Sequence, residues 1–170
     1  VVHPSLPARS VRDLIALARA RPDQIAFGSG GNGTSTHLGG EILRLMAGVR
    51  MVHVPYKGAA PSITALISGE VSWIFGAILP TLPHIQSGRL RAIAVSSARR
   101  TSALPDVPPV GDTLPGFDTS PWTGVSAPGA TPKDVIARLN QEIARGYRAP
   151  DIRERLEREG NVVVVNTPEQ

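Results

Sequence analysis

Short apolar runs alternate with helical patterns along the first hundred residues, and this alternation most constrains the fold. Apolar residues at helical spacing, closed by glycine or proline, predict helices around residues 11–20, 38–46, 63–67 and 84–88. Apolar runs between them predict strands at 24–28, 51–54, 71–75 and 91–95. Alternation with such short connections is typical of a mostly parallel sheet, so the fold class we predict is α/β.

Two of these helices have well-defined sequence signals. Ser10 and Asp13 form a capping box before the first helix, which is predicted to bury Val11, Leu14, Ile15 and Ala18. The second helix follows the glycine-rich turn and stops at Gly48. Its spacing predicts a buried face made of Leu38, Ile42, Leu45 and Met46.

The last third of the chain has a different texture. Proline-rich linker chemistry over 97–121 precedes a predicted strand near 122–127 and a helix with Thr131 as N-cap and Pro132 at its first position. That helix is predicted to turn its apolar residues inward, namely Val135, Ile136, Leu139 and Ile143. A helix at 151–159 and a buried strand at 162–165 follow. A further cap at 167–170, and a strand tail at the first two residues, lead us to expect a piece of a larger protein.

Residue content excludes several kinds of chemistry. The chain has no cysteine, so disulfides, thiolate catalysis and cysteine-ligated metals are excluded. The histidines at 3, 37, 53 and 84 lack metal-ligand spacing, and no acidic pair, nucleophile elbow or P-loop is present. We therefore predict that the chain is not an enzyme and uses no metal and no cofactor.

The charge distribution favours a small anion as a partner. The net charge is +4, with eleven basic and four acidic residues in the first hundred positions. The arginines are scattered and form no basic stripe, so we expect no nucleic-acid partner.

The turn Gly28–Gly33 leaves two alternatives open. It matches G-x-G-x-x-G between a strand and a helix, which is typical of a dinucleotide site, and Lys57 would meet the 2′-phosphate of NADP. However, no carboxylate follows the next strand to hold the ribose. The other alternative is a carboxylate held by backbone N–H groups at the helix start, beside the hydroxyls of Thr34, Ser35 and Thr36.

Several motifs together carry a family resemblance. They are Gly28-Ser-Gly-Gly-Asn-Gly-Thr with His37-Leu38, Val54-Pro-Tyr-Lys-Gly58, Leu82-Pro-His-Ile85, Leu104-Pro-Asp-Val-Pro108, Trp122-Thr-Gly124 and Ala127-Pro128 with Thr131-Pro132. In this order they resemble the Bug family, the TctC-like extracytoplasmic receptors of tripartite tricarboxylate transporters. The resemblance covers the whole chain.

The resemblance implies a periplasmic, type II binding-protein-like fold in which two α/β lobes close on a small carboxylate. Residues 5–120 would be the near-complete second lobe, and 121–170 with 1–4 part of the first. The implied partners are the carboxylate and the permease subunits of the transporter, and we also expect self-association through the exposed inter-domain surface. The ligand contacts expected from the turn and its neighbouring loop are Ser29, Gly30, Gly33, Thr34, Ser35, His37, Tyr56 and Lys57.

One segment departs from the family pattern. Relatives often have Asp where Ser72 stands and a polar or acidic residue where Gly76 stands. No ligand contact is expected at position 76. The alternative to the receptor is an α/β oxidoreductase that binds NADP at Gly28–Gly33.

Overall fold

The protein divides into two compact units, Val1–Pro121 and Trp122–Gln170. The computed structural model describes residues 1–121, 124–158 and 163–168. Residues 1–4, which the sequence analysis grouped with 121–170, lie in the first unit. The reason is backbone pairing: Val2 forms antiparallel bridges with Trp73 and with Arg91.

The first unit is an α/β layer structure. Its helices and strands are α1 (Val11–Ala20), β1 (Ala26–Ser29), α2 (Ser35–Ala47), β2 (Val52–Pro55), α3 (Ala59–Ile67), β3 (Trp73–Ile74) and α4 (Ile78–Gln86). The three strands are parallel in the order β2-β1-β3, with Phe27 opposite both His53 and Trp73. This arrangement confirms the predicted fold class.

Two apolar clusters sandwich the sheet. One joins Leu14 of α1, Leu43 of α2, Phe27 and Trp73. The other joins Leu66 of α3 to Ile74. Because successive residues of a strand point to opposite faces, Trp73 and Ile74 fall in different clusters, and helices cover both faces.

Helix α1 confirms its sequence prediction. The Ser10 hydroxyl accepts the Asp13 N–H at 3.1 Å, and the four expected apolar residues are buried. This contact satisfies one of the free donors at the helix start.

Helix α2 contradicts its predicted face. It buries Gly39, Gly40, Leu43 and Ala47, whereas Leu38, Ile42, Leu45 and Met46 are exposed, with Leu45 at 73%. The cause is close approach: a Cβ at Gly40 would overlap the Phe27 ring, and one at Gly39 would lie 3.0 Å from Phe75 Cδ2. The helix therefore sits on the sheet through its glycines.

The strand predicted at 91–95 is reduced to isolated bridges. Arg91 pairs with Val2, and Val95 pairs in parallel with Pro109. The run predicted at 71–75 forms only the two residues of β3. A 3₁₀ turn, Val110–Asp112, follows the bridge at Pro109.

The second unit contains α5 (Lys133–Arg148) and α6 (Pro150–Arg158). Pro132 occupies the N-cap of α5 and no side chain caps it, so the prediction of Thr131 as N-cap is wrong. The predicted inward face is also wrong in part, because Val135, Leu139 and Ile143 are exposed.

The remaining predictions for this unit concern its irregular segments. Residues 124–127 and 163–165 form no strand, and Val164 is 70% exposed, which contradicts the buried strand. The predictions at 122–123, 159–162 and 169–170 lie outside the described residues. Among the described helices, none has the length and apolar character needed to span a membrane.

Candidate functional site

The glycine-rich turn lies at the carboxyl edge of the parallel sheet. It leaves β1 at Ser29, and Gly31 adopts φ 127°, a conformation that side chains rarely allow. The loop after β2 runs beside it, because the Tyr56 N–H donates to the Ser29 carbonyl and the Gly58 N–H to the Gly30 carbonyl, both at 3.0 Å. The starts of α2 and α3 therefore lie next to each other, where open α/β sheets bind ligands.

Threonine hydroxyls hold the turn from inside. Thr34 is the N-cap of α2: its hydroxyl accepts the His37 N–H at 3.3 Å and donates to the Gly31 carbonyl at 2.7 Å. The Thr36 hydroxyl accepts the Gly30 N–H at 3.0 Å and lies 2.9 Å from the Thr34 hydroxyl. Of the three hydroxyls left open by the sequence, Thr34 is the cap and Thr36 a second brace.

The same contacts leave a set of backbone donors free. Within the described part of the chain, the N–H groups of Ser35 and Thr36, in the first turn of α2, have no hydrogen-bond partner. Among the described residues, the N–H groups of Ala59 and Ala60, in the first turn of α3, likewise have no hydrogen-bond partner, and Gly58 supplies no side-chain cap. Ser35 is exposed. Two positive helix ends with free donors thus start side by side at one edge of the sheet.

Ser29 and His37 lie at the turn but are engaged with it. Ser29 is 1% exposed; its hydroxyl accepts the Gly31 N–H at 3.1 Å and lies 2.7 Å from His53 Nε2. His37 Nδ1 accepts the Gly33 N–H at 3.1 Å. The N–H groups of Gly30 and Gly33 are therefore already bonded, to the Thr36 hydroxyl and to His37 Nδ1. These four predicted contacts shape the turn from within.

The two predicted residues of the neighbouring loop behave differently. The Tyr56 hydroxyl donates to Glu70 Oε1 at 2.8 Å. Burial, and then this bond to Glu70, raises the pKa of Tyr56 to about 12. The phenol is thus committed to Glu70, and its ring packs over Gly28. Lys57 is exposed and lies two residues before Ala59, the first residue of α3.

Sequence reasoning missed His53 and underrated Thr36. His53 lies within β2, stacks on Phe27 at 4.9 Å between ring centroids and on His37 at 4.1 Å. Burial lowers the pKa of His53, and the neighbouring His37 lowers it further. A signal was present, since a polar ring in the middle of an apolar strand needs a partner when it is covered.

The site offers hydrogen-bond donors and positive potential without a metal centre. In residues 1–121, 124–158 and 163–168, no three His, Cys, Asp or Glu side chains cluster as metal ligands. Such an arrangement is suited to holding an anion, with oxygen atoms placed against N–H groups.

The family model that matches the chain describes the tripartite tricarboxylate transporter family receptor, and it matches residues 1–170. The chain belongs to this family. Its α/β architecture is accordingly that of the type II-like binding proteins, which the solved structures below share.

Similar sequences come from several bacteria. The chain is 37% identical over 163 residues to a UPF0065 protein of the tcbD-tcbE intergenic region of Pseudomonas sp. strain P51, covering 95% of this chain and 48% of that one. It is 34% identical over 171 residues to protein BugT of Bordetella pertussis, covering 100% and 52%. The chain thus spans about half the length of these relatives.

Similar structures include two solved with carboxylates. Rpa4515 of R. palustris with adipate superposes with a TM-score of 0.90 at 32% identity, covering 99% of this chain and 56% of that one. MatC of Rhodopseudomonas palustris with bound malate gives a TM-score of 0.86 at 28% identity, covering 99% and 57%. The periplasmic binding protein BugD gives 0.84 at 30%, covering 98% and 56%.

Proposed function

We propose that this chain is the ligand-capturing part of a solute receptor, and that it binds a small carboxylate at the starts of α2 and α3. The observation that carries the proposal is the convergence of two helix N-termini with unpaired N–H groups at one edge of the sheet. The named occupants of two similar structures, adipate and malate, support the choice of a carboxylate.

The hydrogen-bond donors and the positive charge at this edge of the sheet fit this role. The donors of α2 are backbone groups next to a turn that Thr34 and Thr36 brace, so little order has to be created there when an anion arrives. A hydrogen bond to a charged group contributes roughly 1.5–3 kcal/mol, so two or three such bonds account for useful affinity. Lys57 adds a positive charge at the rim.

Of the eight predicted contacts, the proposal keeps Ser35 and Lys57 as groups that meet the ligand. Ser29, Gly30, Gly33, Thr34 and His37 become the frame of the turn, since their polar atoms already have partners within it. Tyr56 joins the frame through Glu70.

The wider role is proposed from the family. Residues 5–120 would form the second lobe of a two-lobed receptor and 121–170 a part of the first, with closure of the lobes on the ligand. The receptor would act in the periplasm and deliver its ligand to the permease subunits, without chemical change. The periplasmic binding protein BugD among the similar structures supports this location.

Self-association of the chain is a separate, finer proposal. The exposed apolar side chains of α2 and α5, among them Leu45 and Leu139, favour it, because large apolar patches seldom stay bare. Sedimentation equilibrium over a range of concentrations tests it. A monomer at every concentration would refute it.

Calorimetric titration of the chain with adipate, malate and NADPH tests the receptor proposal. We expect heat from at least one dicarboxylate and none from NADPH. Tight binding of NADPH without a response to dicarboxylates would favour the oxidoreductase alternative instead. A folded chain that binds no dicarboxylate at about 1 mM, a weak affinity of roughly −4 kcal/mol, would refute the proposal.

A further inference from the structure

A stacked pair of half-buried imidazoles lies beside the glycine-rich turn. His53 of β2 is stacked between Phe27 of β1 and His37 of α2. Its Nε2 lies 2.7 Å from the hydroxyl of the buried Ser29. The stack therefore joins two strands and a helix at the point where the turn begins.

Both imidazoles are connected to the backbone of the turn. Through the Ser29 hydroxyl, His53 is linked to Gly31, whose N–H donates to that hydroxyl at 3.1 Å. The same hydroxyl lies 3.3 Å from the Gly31 carbonyl. His37 reaches the turn directly, since its Nδ1 accepts the Gly33 N–H at 3.1 Å.

The bond from Gly33 fixes the protonation state of His37. A ring nitrogen accepts a hydrogen bond only while it carries no proton, so His37 must be neutral for this contact to exist. A proton on Nδ1 would point at the Gly33 N–H and turn an attraction into a repulsion. It would also place a positive ring 4.1 Å from His53.

Apart from His37, the charged groups that act on His53 come from helix α2. Glu41 and Arg44 of α2 act on His53 with opposite signs, and they are paired with each other. The strand β1 contributes only Phe27 and Ser29, which carry no charge. The two largest influences on the pKa of His53 are its burial and the neighbouring ring of His37, and both lower it.

We propose that His37 and His53 are positioning residues of the glycine-rich turn, and that a single proton on His37 releases Gly33 and loosens the anion-binding edge. Neither imidazole needs to touch the ligand. The consequence for carboxylate affinity rests on the proposed function, whereas the coupling between His37 and Gly33 does not.

Nuclear magnetic resonance on the isotope-labelled chain tests this coupling without any ligand. The Gly33 amide and the His37 ring protons are followed from about pH 8 to about pH 5, the range in which histidine titrates. We expect the Gly33 amide to shift with the same midpoint as His37. The amide of Gly88, at the end of α4 and with open space around it, is the control and should not follow.

Two variants separate the effect of protonating His37 from the effect of losing its hydrogen bond with Gly33. In His37→Asn the side-chain oxygen can accept the Gly33 N–H but cannot titrate, so we expect a native-like Gly33 amide that no longer responds to pH. In His37→Ala the bond is lost, and the amide should resemble the low-pH form of the original at every pH. A Gly33 amide that is indifferent to His37 in the unmodified chain would overturn the inference.

Adipate titrations then measure the consequence. We expect affinity to fall about tenfold between the neutral and the protonated state of His37, and the His37→Asn variant to lose this dependence. If the Gly33 amide follows His37 but the affinity for adipate does not change with pH, the link between the histidine and ligand binding is overturned. If Gly33 follows His37 but adipate binds at no pH, the proposed function fails while the positioning role stands.

Discussion

Helices α2 and α3 start at the same edge of the sheet, and each has unpaired backbone N–H groups in its first turn, yet different contacts hold the two helix starts in place. The start of α2 is braced by side chains, with Thr34, Thr36 and His37 each bonded to the turn. The start of α3 has no side-chain cap and depends on Gly58, whose N–H donates to Gly30. The position of the start of α3 therefore depends on the turn before α2. A substitution that disturbs this turn should displace the starts of both helices.

Substitution at the close contact between α2 and the sheet should cause the largest loss of stability. Gly40→Ala would drive a methyl group into the Phe27 ring, which is fully buried. Overpacking of this kind costs about 1–3 kcal/mol, and we expect the upper end in the free energy of unfolding. Urea titration followed by circular dichroism measures it.

Gly146→Ala in α5 is the matched control. A Cβ there meets open space, so removing the flexible glycine should raise the free energy of unfolding by roughly 0.4–1 kcal/mol. Equal effects of the two substitutions would show that α2 does not rest on its glycines.

The start of α3 depends on a backbone conformation. Gly58 has φ 111° and ψ 177°, a region that residues with a Cβ avoid. Gly58→Ala should cost about 1–3 kcal/mol of strain, and we expect about 2 kcal/mol in urea titration. Gly129→Ala, in open space and without that conformation, provides the comparison. An undisturbed Gly58→Ala variant would contradict the described loop.

The cap of α2 predicts a smaller loss. Thr34→Ala removes the acceptor of the His37 N–H and the donor to Gly31, which should lower the free energy of unfolding by about 1 kcal/mol. Ser35→Ala, one position later and exposed, should change it little. If both variants behave alike in thermal unfolding, Thr34 is not the cap.

The smallest expected effect is the pH dependence of the free energy of unfolding that His53 causes. Its pKa is lowered from the ordinary value of 6.5, mainly by burial, so the unfolded chain binds this proton more readily than the folded one. The free energy of unfolding should therefore be fully retained above the ordinary value and decrease as the pH falls through it towards the lowered value. His53→Gln should flatten this dependence relative to the unmodified chain. An unchanged pH profile of the free energy of unfolding in His53→Gln would remove His53 from the account.

The sequence predicted those features whose causes are local. The capping box at Ser10, the turn after β1 and the alternation of strands and helices follow from spacing and from residues with strong conformational preferences. The Thr34 hydroxyl at the start of α2 belongs to the same class.

The features that failed depend on distant partners. The buried face of α2 is made largely of glycines, which contribute no hydrophobic signal and bury themselves only because Phe27 and Phe75 approach. The run at 91–95 could not be recognised as isolated bridges, since Val2 and Pro109 pair with it from remote positions. In the candidate site, the turn and its hydroxyls were predicted, but the commitment of Tyr56 to Glu70 and the stack of His53 on His37 require three-dimensional contacts.

The central claim is that backbone N–H groups at the start of α2 hold the carboxylate, and a proline tests it most directly. Ser35 is the first residue of α2, a position where proline fits a helix, and Thr34 has the extended conformation that precedes proline comfortably. Ser35→Pro removes one free N–H together with the hydroxyl, whereas Ser35→Ala removes the hydroxyl alone. In adipate titrations, we predict that Ser35→Pro binds at least about tenfold more weakly than Ser35→Ala, a difference of about 1.4 kcal/mol, with unchanged stability in urea. Equal adipate affinities of the two variants would contradict the claim.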